Sequence, residues 1–213
     1  FRRVLFRSNN DGCDPDSSRD VLIEDCVFDT GDDCVAIKSG KDGDGRRLGT
    51  PCEDIVVRRC RMQDGHGGVV IGSENAGGVR RVYAERCVLD SPHLDRALRI
   101  KSNALRGGVV EGVYLRDCQV GEVAHSVVTI DLVYEKVRSG PFPPVVRDVL
   151  VERVTSRRSP RVLSIEGIPG STIEGVRLVD CDFAGVDGAD RLAYAGDVAY
   201  RDVRITPSSE RSE

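Results

Sequence analysis

A short phrase of alternating apolar residues followed by cysteine recurs along the chain and constrains the fold more than any other feature. Its first copy reads Val21-x-Ile23-x-x-Cys26-x-Phe28. The later copies are Ile55-x-Val57-x-x-Cys60-x-Met62, Val82-x-Ala84-x-x-Cys87-x-Leu89, Val113-x-Leu115-x-x-Cys118-x-Val120, Val149-x-Val151-x-x-Val154 and Val176-x-Leu178-x-x-Cys181-x-Phe183. Self-similarity of this kind is typical of a solenoid, in which each repeat packs only on its neighbours.

A second recurrent strand lies between the copies of this phrase, and each of its copies is centred on an isoleucine. The segments are VAIK at 35–38, VVIG at 69–72, LRIK at 98–101, VTID at 128–131 and LSIE at 163–166. Two short strands per repeat, glycine-rich turns and no helical period predict an all-β parallel β-helix with rungs about 4.8 Å apart. We expect the isoleucines to form one inward column.

A leucine-rich repeat is the alternative fold, because its signature is close to the first phrase. The recurrent isoleucine-centred strand argues against a leucine-rich repeat. The uneven spacing of Ile37, Ile71, Ile100 and Ile130 is also less regular than a horseshoe normally tolerates. The sequence therefore favours the β-helix.

The composition agrees with a sheet protein and limits the classes of partner. The 213 residues suit one domain, and apolar residues make 39% while aromatics make only 5%, so small aliphatic side chains must build the core. A net charge of −4 supplies no basic field for nucleic acid. No apolar run approaches the length of a membrane helix, so neither nucleic acid nor a membrane is an expected partner.

Eight cysteines raise the question of metal binding, but no CxxC pair occurs and the three histidines are far apart. Most of the cysteines occupy one position of the repeat, which predicts free, stacked core thiols that behave as small hydrophobes. The loop Lys41-Asp42-Gly43-Asp44-Gly45 matches part of a calcium loop but lacks the closing Glu. We predict no metal and no cofactor.

The two ends of the chain differ from the repeats. Residues 1–8, FRRVLFRS, break the pattern and are expected to be non-native or a truncation scar. Residues 9–206 are predicted to be the β-helix catalytic domain, as the C-terminal part of a larger domain. Residues 207–213 read as a polar tail.

Counting residues from the isoleucine of each repeat places several polar residues on one outer face of the predicted β-helix. Asp32 and His66 precede their isoleucines at the same distance, so they lie on adjacent rungs. Arg99 and Lys101 flank Ile100 and point outward by the period-2 alternation of a strand. Each residue alone has a structural explanation, but their convergence, together with Asp33, predicts a functional site.

These residues resemble the signature segments of glycoside hydrolase family 28, the polygalacturonases. The segments read Asn9-Asn10-Asp11, Gly31-Asp32-Asp33, Gly65-His66-Gly67 and Arg99-Ile100-Lys101, followed by Tyr134. The sequence departs from the family at Asn10, where threonine is usual. The resemblance implies a right-handed parallel β-helix of the pectin-lyase-like type.

The resemblance also implies roles for these residues. Asp32 would be the general acid, with Asp11 and Asp33 holding water and acting as base, and the reaction would invert the anomeric carbon. His66 would tune an aspartate, and crowding of like charges would keep a proton on Asp32. The implied substrate-binding residues are Asn9, Arg99, Lys101 and Tyr134, with Ser73 and Glu74 as further candidates.

The expected partner is therefore polygalacturonate or a pectin oligosaccharide, bound by a secreted or periplasmic enzyme that is a monomer when full length. The compact loops and the GSE segment favour exo attack, although endo attack and a rhamnose-containing pectin stay open. Two other functions remain as alternatives. One is a pectate-lyase-like polysaccharide lyase, and the other is a non-catalytic carbohydrate-binding β-helix.

Overall fold

The computed structural model describes residues 9–208, so the segment 1–8 and most of the expected tail at 207–213 lie outside it. In chain order the strands are β1 (Arg19–Glu24), β2 (Val27–Phe28), β3 (Asp33–Ile37), β4 (Cys52–Arg58), β5 (Arg61–Met62), β6 (Gly67–Ile71), β7 (Val79–Glu85), β8 (Val88–Leu89), β9 (Arg96–Lys101), β10 (Val109–Arg116), β11 (Gln119–Glu122), β12 (Ser126–Asp131), β13 (Val145–Glu152), β14 (Thr155–Arg158), β15 (Leu163–Glu166), β16 (Thr172–Val186), β17 (Arg191–Ala193) and β18 (Val198–Pro207). The helix α1 spans Asp42–Leu48, and a 3₁₀ turn spans Tyr134–Lys136.

All paired strands are parallel, and they stack in three columns that define a parallel β-helix. The first column runs β1-β4-β7-β10-β13-β16, with β18 added to β16. The second runs β2-β5-β8-β11-β14-β16, and the third runs β3-β6-β9-β12-β15-β17. The long strand β16 belongs to both of the first two columns and joins them into one sheet. The fold predicted from the repeats is thus confirmed.

The first five coils, from β1–β3 to β13–β15, each contain three strands rather than the two predicted from the repeat phrase. The residue before the cysteine position adopts a left-handed backbone conformation, with φ of 56° at Asp25 and 53° at Arg59. This residue bends the chain and separates β1 from β2 and β4 from β5. The expected pairing of isoleucines is correct, because Ile71 lies opposite both Ile37 and Ile100 in the register.

The repeated cysteines line the core as predicted. Cys60, Cys87 and Cys118 are buried, while Cys26 in the first coil is half-buried. The cysteines of the described chain are free, and their thiols donate to backbone carbonyls, as from Cys60 Sγ to Arg58 O at 3.4 Å. Burial raises the pKa of the Cys60 thiol to about 11, so this group stays neutral. The column therefore packs as a row of small hydrophobes.

The third column carries the outer face on which the polar residues were predicted to meet. Loops flank it on both edges, one set entering β3, β6 and β9 and the other leaving them. The partial calcium loop lies in this second set and forms α1, which ends at Gly49 with a φ of 61°. No helix between residues 9 and 208 is long and apolar enough to cross a membrane.

Candidate active site

Three aspartates meet at the edge of the third column where the chain enters its strands. Asp32 and Asp33 stand at the start of β3, and Asp11 lies in the preceding coil, whose Cys13 bridges to Val35. The backbone N–H of Asp33 donates to Asp11 Oδ1 at 3.1 Å. One carboxylate oxygen from each of the three aspartates lies within 4.8 Å of the others. The structure thus brings together the acidic residues that the motifs singled out.

Two lysines balance this negative charge. Lys101 Nζ lies 2.7 Å from Asp33 Oδ2, and both side chains are almost fully buried. Lys38 Nζ lies 2.9 Å from Asp11 Oδ2 and 2.7 Å from Asp14 Oδ2. The ammonium groups therefore neutralise the aspartate oxygens that a bound cation would otherwise contact.

Lys38 is a site residue that the sequence does not predict, because it ends the VAIK strand and belongs to none of the four motifs. A signal was available in the repeat. Ile37 and Ile100 belong to one column, so Lys38 and Lys101, which follow them, occupy equivalent outward positions two coils apart. Asp14 is the second partner of Lys38.

His66 lies against Asp32, as predicted from their equal distance to the isoleucine of their repeats. The His66 Nδ1 atom is 2.9 Å from Asp32 Oδ1, and the His66 backbone N–H donates to Asp32 O at 3.0 Å. The imidazole is half exposed, whereas the Asp32 side chain is about one quarter exposed. Both groups can therefore reach a ligand that lies on the outer face.

Burial and the lysines set the protonation of two of the carboxylates. Burial raises the pKa of Asp33, and the ion pair with Lys101 offsets only part of this effect. Burial also opposes the ionisation of Asp11, but the hydrogen bond and charge of Lys38 outweigh it and lower the pKa of Asp11. The proton that crowding was expected to keep on Asp32 stays a prediction. Crowding does contribute to the raised pKa of Asp33. The main cause of that raised pKa is burial, with the charge of Asp32 as a smaller contribution.

Arg99 and Tyr134 form the part of the site that follows the acidic cluster. The guanidinium carbon of Arg99 lies 5.7 Å from the centroid of the Tyr134 ring, and Lys101 Nζ lies 5.4 Å from it. Arg99 makes no ion pair within residues 9–208, and its Nε atom is buried without a hydrogen-bond partner. Because Lys101 is engaged by Asp33, Arg99 is the cation of the predicted pair that is free to bind an anion.

The remaining predicted residues lie near the site but do not join the cluster. Asn9 is exposed at the start of the described chain. Ser73 is buried and Glu74 half-buried in the loop after β6, where the Glu74 carbonyl accepts from the Ser39 N–H. Within the described range, no side-chain hydrogen bond links any of these three residues to the aspartates. Their roles in substrate binding stay predictions.

Clustered carboxylates beside a histidine and an unpaired arginine, on the outer face of a parallel β-helix, are suited to the hydrolysis of glycosidic bonds. The chain belongs to one family of such enzymes, the glycosyl hydrolases family 28, whose model matches residues 6–199. The match begins inside the segment 1–8. The family predicted from the four motifs is thus confirmed.

Individual relatives agree with this assignment. A crystal structure of a hyperthermoactive exopolygalacturonase from Thermotoga maritima is 39% identical, superposes with a TM-score of 0.89, and covers 95% of this chain and 45% of that one. A probable polygalacturonase of Vitis vinifera is 41% identical over 51% of this chain and 22% of its own. An endo-polygalacturonase of Pectobacterium carotovorum is 36% identical over 70% of this chain and 34% of its own. The chain therefore spans less than half the length of these relatives.

Proposed function

We propose that the protein hydrolyses the α-1,4-galacturonosidic bonds of polygalacturonate or pectin, with Asp32 as the general acid. The observation that carries this proposal is the Asp32–His66 contact beside two lysine-bound carboxylates. Asp32 is the carboxyl that no lysine holds, so it is the group best able to carry a proton to the leaving oxygen. His66 orients it from the adjacent coil, and its imidazole is half exposed.

Asp11 and Asp33 would position the attacking water and remove its proton. Both are paired with a lysine, which favours their ionised form. Burial raises the pKa of Asp33, and a carboxylate with a higher pKa is a stronger base. Asp33 is nevertheless nearly inaccessible, with one buried oxygen that has no partner, while Asp11 is more open. The two carboxylates therefore act together: Asp11 holds the water, and Asp33 accepts its proton.

The substrate assignment rests on Arg99. A guanidinium that is partly buried, unpaired and placed over an aromatic ring is suited to bind a uronate carboxylate through its planar fork. Lys101 contributes indirectly, because its charge favours the ionised form of Asp33 against the effect of burial. A neutral sugar polymer would leave Arg99 without a partner, which disfavours galactan as the substrate.

Exo attack from a chain end is favoured over endo attack because a relative that is 39% identical and covers 95% of this chain is named an exopolygalacturonase. A relative named an endo-polygalacturonase covers 70% of it. A time course of product sizes from polygalacturonate separates the two modes. Exo attack releases one small product from the start, whereas endo attack first yields a broad range of oligomers.

A polymeric pectin substrate does not enter a cell intact, so we place the enzyme outside the cytoplasm, either secreted or periplasmic. We propose that the full-length protein acts as a monomer. The polysaccharide lyase remains the main alternative on this fold, since it cleaves the same polymer by elimination.

The experiment that tests the proposal compares the wild-type chain with Asp32→Asn on polygalacturonate. Hydrolysis yields new reducing ends with no unsaturated uronide, and the variant should lose about two to four powers of ten in turnover, as expected for a general acid. Circular dichroism checks that the fold is retained. Ultraviolet absorbance of an unsaturated product would favour the lyase, and turnover close to wild type would remove Asp32 from the mechanism.

A further inference from the structure

Lys38 lies between the carboxylates of Asp11 and Asp14, whereas Lys101 pairs with Asp33. The Lys38 ammonium is 2.9 Å from Asp11 Oδ2 and 2.7 Å from Asp14 Oδ2. The other oxygen of Asp11 accepts the backbone N–H of Asp33 at 3.1 Å. Each oxygen of Asp11 thus has one protein donor, which fixes the carboxylate and leaves lone pairs free for a water molecule.

We propose that Lys38 is a positioning residue that keeps Asp11 ionised and oriented to hold the attacking water. This inference rests on the hydrolytic function proposed above. Asp14 is the second anchor of the ammonium, since its Oδ2 atom lies 2.7 Å from Nζ. Lys38 itself stays about one fifth exposed and does not approach Asp32 or His66 within hydrogen-bond distance.

The charges around Asp11 explain why one lysine can control it. The groups that face it are Lys38 and three carboxyls, those of Asp14, Asp32 and Asp33. Lys101 is already engaged by Asp33 at 2.7 Å. If Lys38 loses its charge, Asp11 faces only like charges in a half-buried site, and its proton affinity increases.

The sign of the pH effect follows from this geometry. Lys38 lowers the pKa of Asp11 against the opposing effect of burial. A carboxylate that must be ionised to hold and activate water works only above its pKa. Removing Lys38 therefore moves the acid limb of kcat/KM to higher pH, whereas a purely structural lysine would lower stability and leave that limb in place.

A carbon-13 NMR titration of the 213-residue chain tests the electrostatic part without an activity assay. Aspartate labelled at Cγ reports each carboxyl, and Asp11→Asn assigns the Asp11 signal. In Lys38→Met the midpoint of Asp11 should move to higher pH, and Lys38→Arg should return it toward the wild-type value. Lys41→Met is the matched control, because Lys41 is exposed and makes no ion pair in the described chain. An unmoved midpoint in Lys38→Met overturns the proposal.

Activity on polygalacturonate tests the catalytic part with the same variants. Lys38→Met should lose roughly ten- to a hundredfold in kcat, less than the loss expected when a general base is removed outright. Its acid limb should shift upward, and Lys38→Arg should recover most of both effects. A moved NMR midpoint with an unchanged acid limb also overturns the positioning role. If the wild-type chain itself hydrolyses no polygalacturonate, the proposed function fails, and the titration alone decides whether Lys38 keeps Asp11 charged.

Discussion

The three aspartates of the site have different neighbours, and at the scale of single residues these neighbours separate their roles. Asp33 is buried against Lys101, whereas Asp11 is held by Lys38. Asp32 contacts no lysine within the described residues but lies 2.9 Å from the His66 imidazole. A fixed cation favours a charged carboxylate, while a histidine can exchange a proton with one. The proposed acid, Asp32, therefore differs from Asp11 and Asp33 mainly in the side chain that contacts it.

Stereochemistry tests this separation of roles. The nearest carboxylate oxygens lie within 4.8 Å, which is closer to the spacing of retaining enzymes than of inverting ones. Retention requires a carboxylate free to attack the anomeric carbon, but Asp11 and Asp33 are each tied to a lysine and Asp32 to a histidine. We therefore expect inversion. Proton NMR of the first product should show the anomer opposite to the substrate linkage, and a retained anomer would identify one of these aspartates as a nucleophile.

Charge recognition by Arg99 gives a second prediction at this scale. Arg99→Gln should weaken polygalacturonate hydrolysis by about 1.5–3 kcal/mol in kcat/KM, the range for hydrogen bonds to charged groups. Reducing the substrate carboxylates to neutral galactose should cause a similar loss in the wild-type chain. The two losses should not add, because both delete the same interaction. Arg138→Gln is a control, since that arginine is exposed and pairs with Glu166. Full additivity would show that Arg99 does not bind the uronate.

At the scale of strands, the sequence predicted which residues are neighbours on adjacent coils, but not where the chain bends within a coil. The isoleucine register and the contact of Asp32 with His66 follow from the repeat alone, because parallel stacking fixes which residues are neighbours. The third strand of each coil could not be predicted, since it depends on Asp25 and Arg59 adopting a positive φ that few non-glycine residues take. Nor does the pattern reveal which aspartate a lysine from another coil reaches, because side-chain reach is not periodic.

The buried cysteine column leads to a prediction about stability at alkaline pH. Burial raises the pKa of Cys60 from 9.0 to about 11, so the thiol stays protonated in the folded chain after it ionises in the unfolded one. A raised folded pKa stabilises the protein below the unfolded value, and that contribution is lost as pH rises through the window from about 9 to about 11. Urea denaturation across this window should show the free energy of unfolding falling with pH.

Cys60→Ala provides the comparison for this titration. Other groups also titrate at alkaline pH, so the informative quantity is the difference in slope between the variant and the wild type. The variant should lose stability at all pH values from the missing sulfur contacts, yet its stability should fall less steeply above pH 9. Equal slopes would mean that the Cys60 thiol ionises as readily in the folded chain as in the unfolded one.

At the scale of the whole molecule, the described residues place no further strand on the last coil of the β-helix. The strands β17 and β18 each pair with one neighbour, β15 and β16, within the described residues. Leu192 continues the isoleucine column but is 49% exposed, and Ile205, opposite the buried Phe183, is 42% exposed. Unpaired strand edges next to exposed apolar side chains favour association between molecules.

We therefore expect the 213-residue chain to associate with increasing concentration through this last coil. Replacing Leu192 and Ile205 together with glutamate should lower the association, because like charges at an open edge oppose strand pairing between copies. Both positions are already half exposed, so the unfolding midpoint should change little. Leu48→Glu is the matched control, since Leu48 is 65% exposed on α1, away from the last coil. Light scattering after size exclusion gives the mass at each concentration. If Leu48→Glu reduces the mass as much as the double variant, the association depends on surface charge in general and not on the last coil.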